Sequence, residues 1–112
     1  MRDEDSSWAI NAREHWKGKF VRFVNETAEF LRDSKRLAEA ITFLQTALDA
    51  EDLAEGIYRQ LMLYYEQLGR KAECIEVYNR CSKALTARLG VEPSPETRSI
   101  YEKLMAAGEE SA

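Results

Sequence analysis

Ala40-Ile41-Thr42-Phe43-Leu44-Gln45-Thr46-Ala47 and Cys74-Ile75-Glu76-Val77-Tyr78-Asn79-Arg80-Cys81 are the two stretches whose likeness decides the fold. Sliding the chain along itself by 34 residues lays Ala40 on Cys74, Leu44 on Tyr78 and Ala47 on Cys81, with Phe30 on Tyr64 and Leu31 on Tyr65 upstream. The shared pattern is small, large, small at steps of four and three, which is one face of an α-helix. Small side chains let two helices approach closely, and the large one fills the gap to the next pair. Cys74 and Cys81 therefore read as alanine-sized packing residues. Two turns apart on one helix, they are too distant for a disulfide, and no second pair completes a zinc site.

A period of 34 residues is that of tetratricopeptide repeats, one helix–turn–helix per unit. Working outward, a second helix is predicted over residues 35–49, with Leu37, Ala40, Ile41, Leu44, Ala47 and Leu48 on its apolar face. A third carries Leu53, Ile57, Leu61, Tyr64 or Tyr65, and Leu68. Asp52 stands as its N-cap with Glu55 three residues on, and Gly69 as its left-handed stop. The fourth holds Cys74, Ile75, Val77, Tyr78, Cys81, Leu85 and Leu89 and ends at Gly90. Ser94-Pro95-Glu96 reads as N-cap, first-turn proline and first-turn acid. It opens a short fifth helix with Ile100, Tyr101, Leu104 and Met105, closed by Gly108.

The first helix is predicted over residues 7–32, capped by Ser6 or Ser7. Trp8, Ala12, Trp16, Phe20, Phe23, Thr27 and Phe30 form its helix-period stripe; for Trp8 and Trp16 on it core packing is the default and a partner contact near the open end the alternative. Gly18 interrupts this helix and suggests a close contact or a local weakness. The expected fold is all-α: a tetratricopeptide-like, right-handed array of antiparallel helix pairs with about five helices. Residues 1–6 form a charged extension, 7–107 the domain and 108–112 a frayed tail.

Composition agrees. The 112 residues suffice for one core, with 45% apolar and 32% charged. Proline occurs only at Pro93 and Pro95, so nothing breaks a helix earlier. No apolar run approaches a membrane span, and the charged amino terminus lacks a secretory signal, so a cytoplasmic protein is expected. A net charge of −4 argues against this chain holding DNA unaided. His15, the only histidine, has just ordinary surface acids such as Glu14 nearby. No phosphate loop or activated nucleophile is visible. No enzyme activity, metal or cofactor is expected.

The stretch Leu89-Gly90-Val91-Glu92-Pro93-Ser94-Pro95-Glu96-Thr97-Arg98, followed by Tyr101 and Leu104, resembles the closing signature of the bacterial transcriptional activator domain. That is the tetratricopeptide-like region of SARP-type (antibiotic regulatory protein) activators. Tyr58-Arg59-Gln60-Leu61-Met62 and Leu68-Gly69-Arg70-Lys71-Ala72 resemble its second repeat, and Trp8 its opening. The resemblance covers residues 8–105. Lys35 stands where that family commonly turns on glycine, and Gly18 lies in a helix the family usually keeps continuous. The resemblance implies a role in transcription regulation. In such regulators the domain usually follows a winged-helix DNA-binding domain and supports activation or oligomerisation. This chain would then be a C-terminal piece of a longer regulator, touching DNA only through a domain it lacks.

In tetratricopeptide arrays the first helix of each repeat faces a concave groove. Arg22, Asn25, Glu29 and Arg32 form a polar stripe on helix one, and Arg59, Leu63 and Glu66 stand beside it on helix three. Such a mixed stripe can grip a peptide by side-chain hydrogen bonds and one apolar contact; it can equally be a solvated face with weak ion pairs. The expected partner is a protein: a second copy, RNA polymerase or another domain of the same regulator, with a homodimer possible and no membrane. A stand-alone adaptor binding peptides or helices is the alternative, and an inert spacer a third reading.

Overall fold

A computed structural model describes the backbone of residues 2–111 and the side-chain surroundings of Ala12 and residues 15–106. The described chain forms five α-helices: α1 (Arg2–Asp33), α2 (Leu37–Ala50), α3 (Glu55–Gln67), α4 (Lys71–Leu89) and α5 (Pro95–Ser111). Short turns join them, which makes neighbouring helices antiparallel. Helix α1 packs on α2 and α3, α2 also on α3, α3 on α4 and α5, and α4 on α5. Each leading helix thus lies against its own partner and against the next leading helix, the stacking rule of a helical-repeat array.

The 34-residue period extends into the turns. After α1, the Arg36 amide donates to the Leu31 carbonyl at 2.8 Å and the Lys35 amide to Arg32 at 3.0 Å. After α3, the Arg70 amide donates to Tyr65 and the Gly69 amide to Glu66, both at 2.9 Å. These are the two bonds of a Schellman stop. The left-handed residue is Gly69 (φ 70°) in the second turn and Lys35 (φ 62°) in the first. Arg36 then pairs with Glu39, and Arg70 with Glu73 at 2.6 Å, across the first turns of α2 and α4.

The core is continuous along the array. Val24, Ala28, Ala40, Leu44, Leu48, Ile57, Tyr58, Leu61, Met62, Tyr64, Cys74, Cys81 and Leu85 are buried. The small–large–small faces behave as their spacing requires: Ala40, Leu44, Cys74 and Cys81 have almost no exposure, while Tyr78 stacks on Tyr101 of α5 at 4.0 Å between ring centroids. Burial pushes the Cys81 thiol up to about 12 and raises Cys74 as well, so neither is a ready nucleophile at neutral pH.

Several boundaries differ from expectation. Helix α1 starts at Arg2, so Ser6 and Ser7 lie inside it. Gly18 meets nothing within 4 Å of where a Cβ would stand, so no close contact explains it. The N-cap of α3 is Ala54, not Asp52; Asp52 instead lends its backbone carbonyl to the Tyr58 hydroxyl at 2.8 Å. Helix α5 runs on through Gly108 to Ser111. The largest correction concerns the aromatic stripe. Trp16, Phe23 and Phe30 are 60%, 62% and 66% exposed. The face of α1 that enters the core is instead Val24 and Ala28, with Phe20, Val21 and Leu31 packed beside them. The expected burial of Trp8 concerns a side chain outside the described ones.

Candidate interaction face

Helices α1 and α3 meet where Gly56 removes a side chain. A Cβ there would stand 3.0 Å from Val21 Cγ1, 3.6 Å from Asn25 Nδ2 and 3.7 Å from Arg59 Nη2. Gly56 therefore brings the two expected stripes side by side. Asn25 sits in this seam with its Oδ1 buried and without a hydrogen-bond partner among the described residues. One turn on, Gln60 Nε2 reaches Glu29 Oε2 at 3.4 Å. Further along, the Arg32 guanidinium lies 5.7 Å from the Tyr64 ring centroid and pairs with Asp33 at 3.0 Å. Arg22 and Glu66 are exposed, and Leu63 is partly so. Asn25, Glu29 and Arg32 of α1 thus lie against Gly56, Gln60 and Tyr64 of α3, and Arg22, Leu63 and Glu66 are exposed on the same two helices. Gln60 was missed; its three-residue spacing from Leu63 placed it on the same helix face.

Arg59 has further work. Its Nη1 donates to Thr97 Oγ1 at 2.9 Å, and Nη2 lies 3.8 Å from Glu96. Glu55, one turn earlier on α3, accepts from the Thr97 hydroxyl at 2.7 Å and from the Ser94 amide at 3.0 Å. Ser94 Oγ accepts from the Thr97 amide at 3.3 Å, the N-cap bond expected from the sequence. Thr97 is fully buried, and Pro95 opens the helix. The closing signature is therefore a clamp: its serine and threonine lock the start of α5 to Glu55 and Arg59 of α3. Burial alone would raise the Glu55 carboxyl, but the hydrogen bonds from Thr97 and Ser94 and the Arg59 charge outweigh it and hold the group below its ordinary range.

No group of His, Cys, Asp and Glu that could hold a metal ion occurs among the described residues, and none of their helices is long and apolar enough to cross a membrane. His15 is exposed. The five helices, their stacking order and the 34-residue turns define a tetratricopeptide-like helical array. The chain belongs to the bacterial transcriptional activator domain family, whose family model matches residues 1–105, and it is of the SARP-regulator type. It is 35% identical over 75 residues to the regulatory protein AfsR of Streptomyces griseus, covering 67% of this chain and 8% of that one. It is 37% identical over 51 residues to the transcriptional regulatory protein MoaR1 of Mycobacterium tuberculosis, covering 46% of this chain and 16% of that one. Among solved structures, Mycobacterium tuberculosis EmbR in complex with a low-affinity phosphopeptide shares the fold, with a TM-score of 0.66 and 19% identity over 88% of this chain and 25% of EmbR. The chain thus spans less than a fifth of the length of these curated relatives.

Proposed function

We propose that this domain is a non-catalytic protein-interaction and oligomerisation module of a cytoplasmic bacterial transcription regulator. It would be one part of a longer chain whose winged-helix domain reads DNA. The observation that carries this reading is the mixed face along α1 and α3, where Arg22, Glu29, Leu63 and Glu66 stand exposed on helices that approach closely at Gly56. A face with charged groups of both signs and one apolar residue suits a polypeptide partner better than a phosphate backbone. The partner is a second copy, RNA polymerase or another domain of the same regulator. The structural neighbour EmbR, of which this chain matches 25%, was solved in complex with a low-affinity phosphopeptide.

The test uses the native gene product, first sized by immunoblot against 12.9 kDa and then assayed on a promoter reporter. Arg22→Glu combined with Leu63→Asp and Glu66→Lys should abolish activation while leaving helical content and promoter binding intact, because all three side chains are exposed. Unchanged activation would remove the face from the mechanism. A native product of 12.9 kDa would replace the regulator reading with that of a stand-alone adaptor.

A further inference from the structure

The exposed aromatic residues of α1 fall at one interval. Trp16, Phe23 and Phe30 are seven residues apart, and each is at least 60% exposed. Phe20, half-buried, stacks on Trp16 at 5.2 Å between centroids and joins the stripe to the core. A seven-residue repeat on a straight helix stays nearly in line, drifting about 20° per heptad. It is therefore a seam about 21 Å long at 1.5 Å per residue. The polar edge of the stripe repeats at the same interval: Lys19, then Glu26, then Asp33, all exposed. The edge is basic at one end of the seam and acidic at the other.

From this we infer that α1 is the contact surface for a second copy of the same chain, packed antiparallel about a two-fold axis at Phe23. The charge order selects both occupant and orientation. In the antiparallel register Phe23 meets its own counterpart, Trp16 meets Phe30 of the second copy, and Lys19 of each copy lies beside Glu26 of the other. The residue numbers require it: 16 + 30 and 23 + 23 both give 46, and 19 + 26 gives 45. A parallel two-fold pairing would put this charged edge on opposite sides of the seam in the two copies, where Lys19 of one could not reach Glu26 of the other. The inference deepens the oligomerisation reading above by naming its partner and its surface, and that surface is separate from the α1–α3 face.

Area sets the strength. Aromatic side chains carry about 150–250 Å² each, so three rings at this exposure present roughly 300–450 Å² per copy. Two copies bury roughly 600–900 Å² through the rings, less than the 1,200–2,000 Å² or so of a stable interface even before the flanking pairs are added. The pairing is therefore weak and reversible, and concentration decides how much of it is populated.

Sedimentation equilibrium of the 112-residue chain from about 1 to 500 μM should show a monomer–dimer equilibrium. Phe23→Glu should make the chain monomeric throughout with unchanged helical circular dichroism, since the ring is exposed in the monomer. Lys19→Glu should weaken the dimer about tenfold, and adding Glu26→Lys should restore it. For orientation, Trp16→Cys mixed with Phe30→Cys should cross-link under oxidation, and Trp16→Cys alone should not; the two native thiols are buried. Self-linking of Trp16→Cys would overturn the antiparallel arrangement. A wild-type chain that is monomeric at 500 μM would overturn the second copy as occupant and hand the seam to another domain of the regulator. Either failure leaves the reporter test of the α1–α3 face standing.

Discussion

Lys35 and Gly69 occupy the same place in successive repeats, and only the second has the residue type the geometry favours. Both sit in the left-handed region, at φ 62° and 70°, where a Cβ costs about 1–2 kcal/mol. Glycine loses more freedom on folding, which returns about 0.5–1 kcal/mol of that difference. Lys35→Gly should therefore stabilise the chain by about 0.5–1 kcal/mol, and Gly69→Lys should destabilise it by a similar amount. Urea unfolding followed by circular dichroism measures both. A Lys35→Gly protein no more stable than wild type would mean that the lysine side chain contributes something its exposed position does not reveal. This turn was not legible in advance: the sequence reading begins the second helix at Lys35, whereas the backbone holds Lys35 left-handed before α2, because the Schellman bonds to Leu31 and Arg32 fix it.

At the scale of the element, the start of α5 is held by chemistry from α3. Thr97 is buried, donates to Glu55, accepts from Arg59 and sits three residues after its cap. Thr97→Val keeps the shape and removes the hydroxyl, leaving buried polar groups unsatisfied at a cost of about 1–3 kcal/mol. The cost should depend on pH. The folded Glu55 carboxyl ionises below its ordinary value of 4.5. Its stabilising contribution is therefore present at neutral pH and is lost as pH falls through the ordinary carboxylate range to the lowered folded value. Without the hydroxyl the carboxyl is held down less, so the gap between wild type and Thr97→Val should shrink on acidification from pH 7 to pH 3. Glu39 and Glu73 are also held low by their arginines but titrate alike in both proteins and cancel in the comparison. A gap that stays constant with pH would uncouple Glu55 from the clamp. The cap and proline of this element could be read from Ser94-Pro95-Glu96, because capping is local. That Arg59 serves the clamp could not, because its partner Thr97 lies 38 residues away. Helix α1 was misread for a related reason. Its large aromatics carry the visible period, whereas its core face is built from Val24 and Ala28, too small to dominate a pattern of apolar residues.

The molecule as a whole measures 60 × 31 × 18 Å, and it behaves as an array rather than a sphere. Among the described residues, helix α1 touches only α2 and α3, so the first repeat is joined to the rest through α1 on α3 and α2 on α3. In the first of these contacts Gly56 stands close against α1, with 3.0 Å from Val21 Cγ1 to a would-be Cβ. Gly56→Ala gains about 1 kcal/mol of helix propensity against a contact that Val21 must relieve, so its net effect should be small. Gly56→Leu cannot be accommodated without moving α1, and overpacking of this kind typically costs about 1–3 kcal/mol. In a quasi-linear array such a cost falls on the nearest interface. Amide hydrogen exchange of Gly56→Leu should therefore show α1 and α2 losing protection while α4 keeps its own, with α5 disturbed only where Arg59, 3.7 Å from the added Cβ, is pushed off Thr97. Uniform loss across all five helices would mean that two repeats and a closing helix unfold as one unit, and that the seam beside Gly56 is no weaker than the rest. The two outcomes also bear on the proposed interaction face. A partner gripped by Arg22, Asn25 and Glu29 on α1 together with Leu63 and Glu66 on α3 needs this seam closed, so a variant that opens it should lose that partner even though none of those side chains is altered.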